Sequence, residues 1–102
     1  MNVKLIGKHE KDSRACRDGL ALTLDEMMAQ DKSICYVDCD LMGCINTGKL
    51  LKAFPAQTFN AGIAEQNAMG VASGMAATGL TVFAHSFGCF AARRMFDQAF
   101  LA

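Results

Sequence analysis

Phe59-Asn60-Ala61-Gly62-Ile63-Ala64-Glu65-Gln66-Asn67 is the stretch whose reading decides the fold. Two β-favouring residues, Thr58 and Phe59, run into a glycine turn, and a long run of small residues follows. That is the pattern of a strand feeding a helix through a tight connection. One acid, Glu65, falls in the first turn of the helix. Such an acid has a purely structural reading, because it complements the positive end of the helix dipole for roughly 0.3–1 kcal/mol. A functional reading depends on what the rest of the chain brings to the same place.

Upstream, residues 1–12 are polar and mixed in charge apart from Val3, Leu5 and Ile6, and read as an N-terminal arm. Ser13 can cap a helix start. Cys16, Leu20, Leu24, Met27 and Met28 then form an apolar stripe, which predicts a helix over 14–30. Ile34-Cys35-Tyr36-Val37 is a short, continuous apolar run, as expected of a strand buried on both faces of a parallel sheet. It empties into Asp38-Cys39-Asp40-Leu41-Met42-Gly43. A short helix is expected from Thr47 to Phe54, closed by Pro55, and a second strand over 57–60.

Downstream, the helix from Glu65 should run to about Thr78 and stop at Gly79. Leu80 to Ala84 reads as a third strand, and a final helix is expected over 88–101. Strands alternating with helices through short loops imply right-handed βαβ units, hence an α/β fold with a parallel sheet flanked by helices. Ligands of such sheets bind outside the carboxyl ends of the strands. Three segments fall there: Asp38–Gly43, Asn60–Glu65 and His85–Phe90. Three strands make a small sheet and the last helix has no fourth strand to return to, so residues 13–102 read as an incomplete domain.

Two helices carry further signals. Gly70 and Gly74 share a face of the middle helix, and glycine there costs about 1 kcal/mol relative to alanine. Close approach of another backbone, from this chain or from a partner, would account for both. On the last helix, Phe90, Arg94 and Asp97 cluster on one side, joined by Phe87, while Ala92, Phe96, Ala99 and Phe100 cluster on the other. Phe96 and Phe100 are expected to supply the core face. The opposite face is then either buried as well or an aromatic platform for a flat ring.

Composition excludes several classes. The chain has 102 residues, 52% of them apolar, and its ten basic and ten acidic residues cancel. Nothing in that balance argues for nucleic acid or an anionic membrane surface. No apolar run approaches the roughly 20 residues of a membrane span. The five cysteines, Cys16, Cys35, Cys39, Cys44 and Cys89, contain no CxxC pair, which argues against a zinc site and for buried free thiols. The early residues carry no apolar signal segment. A cytoplasmic location is the expectation.

Taken together, Asp38-Cys39-Asp40-Leu41, Phe54-Pro55, the Phe59–Asn67 stretch, Gly70-Val71-Ala72-Ser73-Gly74-Met75-Ala76 and Ser86-Phe87-Gly88-Cys89-Phe90 through Arg94-Met95-Phe96-Asp97-Gln98 resemble the pyrimidine-binding domain of transketolases. The likeness covers residues 13–102 and is greatest to the separate C-terminal subunit of split transketolases. Deoxyxylulose-phosphate synthases have a similar Gly-Ile-Ala-Glu-Gln stretch.

The resemblance implies thiamine diphosphate chemistry. The glutamate matching Glu65 would hydrogen-bond the 1′ nitrogen of the aminopyrimidine and favour the imino tautomer, whose 4′ nitrogen removes the thiazolium proton. The cofactor then carries a two-carbon ketol unit from a ketose to an aldose. By the same resemblance Asp40 and Leu41 belong to the cofactor site, and Phe87 and Phe90 stack on or enclose the pyrimidine. A further aromatic position of the family falls at Arg93. The arginine that meets sugar phosphate matches Arg14, and a serine expected nearby is replaced at about Cys44. The family's motif for Mg2+ and diphosphate is missing here, which implies that a partner subunit or domain holds the metal and that this chain holds none. A homo-oligomer is also expected. The reading of a different class is a non-catalytic fragment that only folds and self-associates; within the enzymes, part of a deoxyxylulose-phosphate synthase is the alternative.

Overall fold

The computed structural model describes Gly7 and residues 11–102, so most of the expected arm lies outside the described residues. The elements are α1 (Cys16–Gln30), β1 (Ile34–Asp38), α2 (Gly48–Ala53), β2 (Thr58–Asn60), α3 (Glu65–Ala77), β3 (Thr81–His85), α4 (Gly88–Arg94) and α5 (Phe96–Leu101). The strands form a parallel sheet in the order β2-β1-β3. The expected α/β architecture is therefore present.

β1 lies between two neighbours and under two helical layers, and all five of its residues are buried. This is why its sequence is continuous in apolar character rather than alternating. Its side chains still alternate between faces. Tyr36 packs with Leu24, Met28, Met42 and Leu50 beneath α1 and α2, whereas Val37 and Cys39 pack with Ala68, Ala72 and Met95 beneath α3. Gln57 ties the lower end of the sheet together: its Nε2 donates to the carbonyls of Met28, Asp31 and Ile34 at 3.3, 3.0 and 2.8 Å.

The start of α1 differs from expectation. Ala15, not Ser13, occupies the cap position, and no side chain caps the helix. The inward face is Ala21, Leu24 and Met28, while Cys16 and Leu20 are exposed. A strict every-fourth-residue row drifts about 40° per step at 100° per residue, so Cys16 and Leu20 have rotated off the face that Leu24 and Met28 define.

The expected last helix is two. Met95 N–H reaches the carbonyl of Phe90, five residues back, at 3.4 Å, and the helix breaks there. Met95 turns into the core and is 3% exposed. The break resets the helical phase, so Phe96 and Phe100, expected in the core, are exposed and stack on one another with centroids 6.4 Å apart. Gly70 and Gly74 are exposed too, and nothing lies within 4 Å of where a Cβ would stand at either. No close backbone approach at these glycines exists among the described residues. No helix among them is long and apolar enough to cross a membrane.

Candidate functional site

The three strand ends meet as the topology requires. From Asp38 the chain turns through Asp40, whose φ of 63° lies in the left-handed region. Aspartate and asparagine adopt that region more readily than other side-chain-bearing residues. Asn60 secures the turn by donating from Nδ2 to Asp40 Oδ1 at 2.9 Å, and the Leu41 N–H donates to Asp38 Oδ1. The Ala61 N–H bonds the Asp38 carbonyl at 2.8 Å, and Gly62, at φ 75°, donates to Asn60 Oδ1 at 2.9 Å. Only glycine takes that φ without strain, and the turn delivers Glu65 to the first position of α3. Asp40 and Leu41 are thus held in the turn after β1, Asp40 tied to the strand-to-helix connection through Asn60, and neither lines the cleft beside Glu65.

Glu65 is charged yet only 4% exposed. Its Oε1 accepts from Ser86 Oγ at 3.3 Å, and Oε2 accepts from the Arg94 guanidinium at 3.4 Å. The helix start and the buried surroundings pull its proton affinity in opposite directions, and the carboxylate wins. The backbone N–H of Glu65 itself, against the desolvation of burial and with help from Arg94 and Ser86, holds the carboxyl below the ordinary range. Burial, and after it the negative charge of Glu65, pushes the neighbouring Cys39 thiol up.

Ala64, Glu65, Gln66, Asn67 and Arg94 line a cleft of about 480 Å³. Phe87 and Phe90 stand beside it, half-exposed and stacked with centroids 6.3 Å apart. Arg94 links the two parts, since its guanidinium also lies 5.9 Å from the centre of the Phe90 ring. The result is a row of carboxylate, guanidinium and aromatic ring.

Arg93 sits in the last turn of α4, exposed, without a hydrogen bond or ion pair to any described residue. Arg14 lies just before α1, where its N–H donates to Asp12 Oδ1 at 2.8 Å and its Nε is 3.8 Å from the same oxygen. The start of α1 reaches the loop after β1 through Arg17 to the Cys44 carbonyl at 3.4 Å and Asn46 to Asp18 at 2.6 Å. Arg14 is thus at the carboxyl end of the sheet but on the face opposite Glu65.

Two features escaped the sequence reading. One is Ser86 and Arg94 as partners of Glu65. The other is a cluster of the buried Tyr36, Asp38 and Thr47 with the part-buried His85. The signal for it was present: Tyr36 and Asp38 are two apart on one strand, so they share a face. Of the five free cysteines only Cys35 and Cys39 are buried, so the expectation of buried thiols holds for two. Among the described residues no three His, Cys, Asp or Glu side chains are grouped to hold a metal.

The family model "Transketolase, pyrimidine binding domain" matches residues 12–102. Over 84 residues the chain is 40% identical to an apulose-4-phosphate transketolase subunit of Phocaeicola vulgatus, covering 82% of this chain and 27% of that protein. Over 86 residues it is 38% identical to the 6-deoxy-6-sulfo-D-fructose transketolase subunit SqwH of a Clostridium species, covering 84% and 27%. A solved "Split gene transketolase, inactive beta4 tetramer" superposes with a TM-score of 0.70 at 42% identity, over 79% of this chain and 27% of that one. The chain thus spans under a third of the length of these relatives. Sheet order, the strand-to-helix turn carrying Glu65 and the match over nearly the whole sequence agree: the chain belongs to the transketolase pyrimidine-binding-domain family.

Proposed function

We propose that this chain supplies the pyrimidine-binding half of a thiamine diphosphate site in a transketolase-type enzyme, which moves a two-carbon ketol unit from a ketose to an aldose. The observation that carries the reading is Glu65, a buried and ionised carboxylate at the mouth of α3, opening on a cleft beside two stacked phenylalanines.

The residues fit a flat heteroaromatic ring. An ionised carboxylate has about four acceptor sites, and beyond its own backbone N–H the side chains that reach Glu65 do so at 3.3 and 3.4 Å, long for charge-assisted bonds. Glu65 can therefore accept and hold a proton at a ring nitrogen. Phe87 and Phe90 offer an aromatic surface, and Arg94, 63% exposed, is the side chain that has room to move between ring and carboxylate. Bound thiamine diphosphate supplies the carbon nucleophile and electron sink for carbon–carbon bond cleavage. Its diphosphate and Mg2+ are assigned to a partner subunit or domain, so this chain alone is expected to be inactive. The two relatives are named for different sugars, each bearing an anionic group, which supports Arg14 as the contact for such a group.

Self-association belongs to the same reading. Phe96, Phe100 and Leu101 are exposed and the Gly70/Gly74 face is open. Phe96 and Phe100 stack on one another in the open, an exposed apolar pair of the kind that marks an interface, and the solved relative is described as a tetramer. A single sedimenting monomer at tens of micromolar (about the range of weak interfaces) would contradict it. A cytoplasmic location is part of the proposal.

The test of function is proton exchange at the reactive thiazolium carbon in cofactor-saturated complexes of this chain with a diphosphate-binding subunit. Glu65→Gln keeps the shape of the side chain but cannot take up a proton, so exchange should slow by about 10²–10⁴-fold. Exchange as fast as in the unmutated complex would reduce Glu65 to a helix-start acid.

A further inference from the structure

The sheet face opposite Glu65 carries its own polar cluster at the same carboxyl edge. Asp38, the last residue of β1, is fully buried. Its Oδ2 accepts from the Tyr36 hydroxyl at 2.6 Å and from His85 Nδ1 at 2.8 Å, while Oδ1 accepts from the Leu41 N–H. Asp38 and His85 are register partners across β1 and β3, and His85 stacks on Tyr36 with centroids 6.4 Å apart. A histidine whose Nδ1–H is committed to a carboxylate presents its lone pair at Nε2, in a fixed ring orientation. That Nε2 has no hydrogen-bond partner among the described residues. It is not buried either: among them, the one buried side-chain polar atom without a partner is Gln98 Oε1.

We propose that His85 is a substrate-binding residue, and that its Nε2 accepts a hydrogen bond from a hydroxyl of the sugar while Asp38 positions the ring. The assignment rests on the transketolase-type reading above. Three observations converge on it. The open acceptor lies at the carboxyl edge of a parallel sheet, where ligands of such sheets sit. It stands on the Tyr36 face of the sheet, the face that α1 covers, and the start of α1, just after Arg14, reaches the loop following β1 at the same edge. The next residue, Ser86, points to the other face and touches Glu65, which puts sugar-facing and cofactor-facing groups on consecutive residues of one strand end.

A purely structural Asp–His bolt makes a different prediction. In His85→Asn the amide reproduces the donor to Asp38 and deletes Nε2. In the cofactor-loaded complex with a diphosphate-binding subunit, and with D-fructose 6-phosphate as the ketose, KM should rise about three- to tenfold, the worth of one neutral hydrogen bond. The kcat should change by about twofold or less, and thiazolium proton exchange should not change, since Glu65 is untouched. An unchanged KM overturns the assignment and leaves the functional reading standing. An unmutated complex with neither exchange nor turnover overturns both. If the variant fails to fold, the unmutated complex decides: the ¹⁵N resonance of His85 Nε2 should shift on saturation with D-fructose 6-phosphate, and no shift removes the assignment.

Discussion

Tyr36→Phe tests the polar cluster that joins β1 to β3. Tyr36 is 1% exposed, and its hydroxyl donates to Asp38 Oδ2 at 2.6 Å and lies 3.2 Å from Thr47 Oγ1. The substitution keeps the ring and its packing against Leu24, Met28 and Leu50, so the loss is almost wholly the hydrogen bonds. A bond to a charged acceptor contributes about 1.5–3 kcal/mol, and Thr47, fully buried, is left short of a partner as well. The expected cost is about 2–3 kcal/mol. Urea unfolding of the full chain should show a midpoint lower by about 1–2 M with an unchanged slope. Tyr36 is also the chain's single tyrosine, so its ionisation can be followed without ambiguity. Burial, and after it the hydrogen bond to Asp38, pushes its phenol far up. The folded chain should therefore show no phenolate absorbance through the ordinary tyrosine range. Because the folded value is raised, this stabilisation is complete below the unfolded value of about 10 and is lost as pH rises beyond it. A stability change below about 0.5 kcal/mol, or phenolate appearing before unfolding, would refute the closed network.

Met95→Ala should cost about 2–4 kcal/mol by leaving a cavity under α3, whereas Phe100→Ala, 79% exposed, should stay within about 0.5 kcal/mol in the dissociated chain; equal effects in thermal melts would contradict the break at Met95. Glu65 contributes to acid stability with the opposite sign to Tyr36. Its folded value is lowered, so its contribution is complete above the ordinary carboxylate range and disappears as pH falls through the folded value. Glu65→Gln should flatten that part of a urea-midpoint profile against pH, and a profile that overlays the unmutated one would show an unpartnered carboxylate.

Local chemistry made much of the molecule legible in the sequence. The apolar run at Ile34–Val37, the glycines at 62 and 79, and the spacing between β-rich and helical segments are determined by nearest neighbours, and they placed all three strands and the long helices. Glu65 was legible for the same reason, as an acid at the mouth of a helix after a glycine turn. Long-range geometry decided the remainder. The break at Met95 depends on a core pocket built by Val37, Cys39, Ala68 and Ala72, residues distant in sequence, so a helical wheel drawn over residues 88–101 put Phe96 and Phe100 on the wrong side. The charge state of Glu65 was undetermined from sequence because dipole and burial oppose each other. Ser86 and Arg94, 21 and 29 residues away, joined its own backbone N–H in settling it. The Asp38–His85 pair exists only because β1 and β3, 47 residues apart at that point, lie side by side in register. Sequence dictates what each segment can form, but which charges meet depends on which segments the sheet makes neighbours.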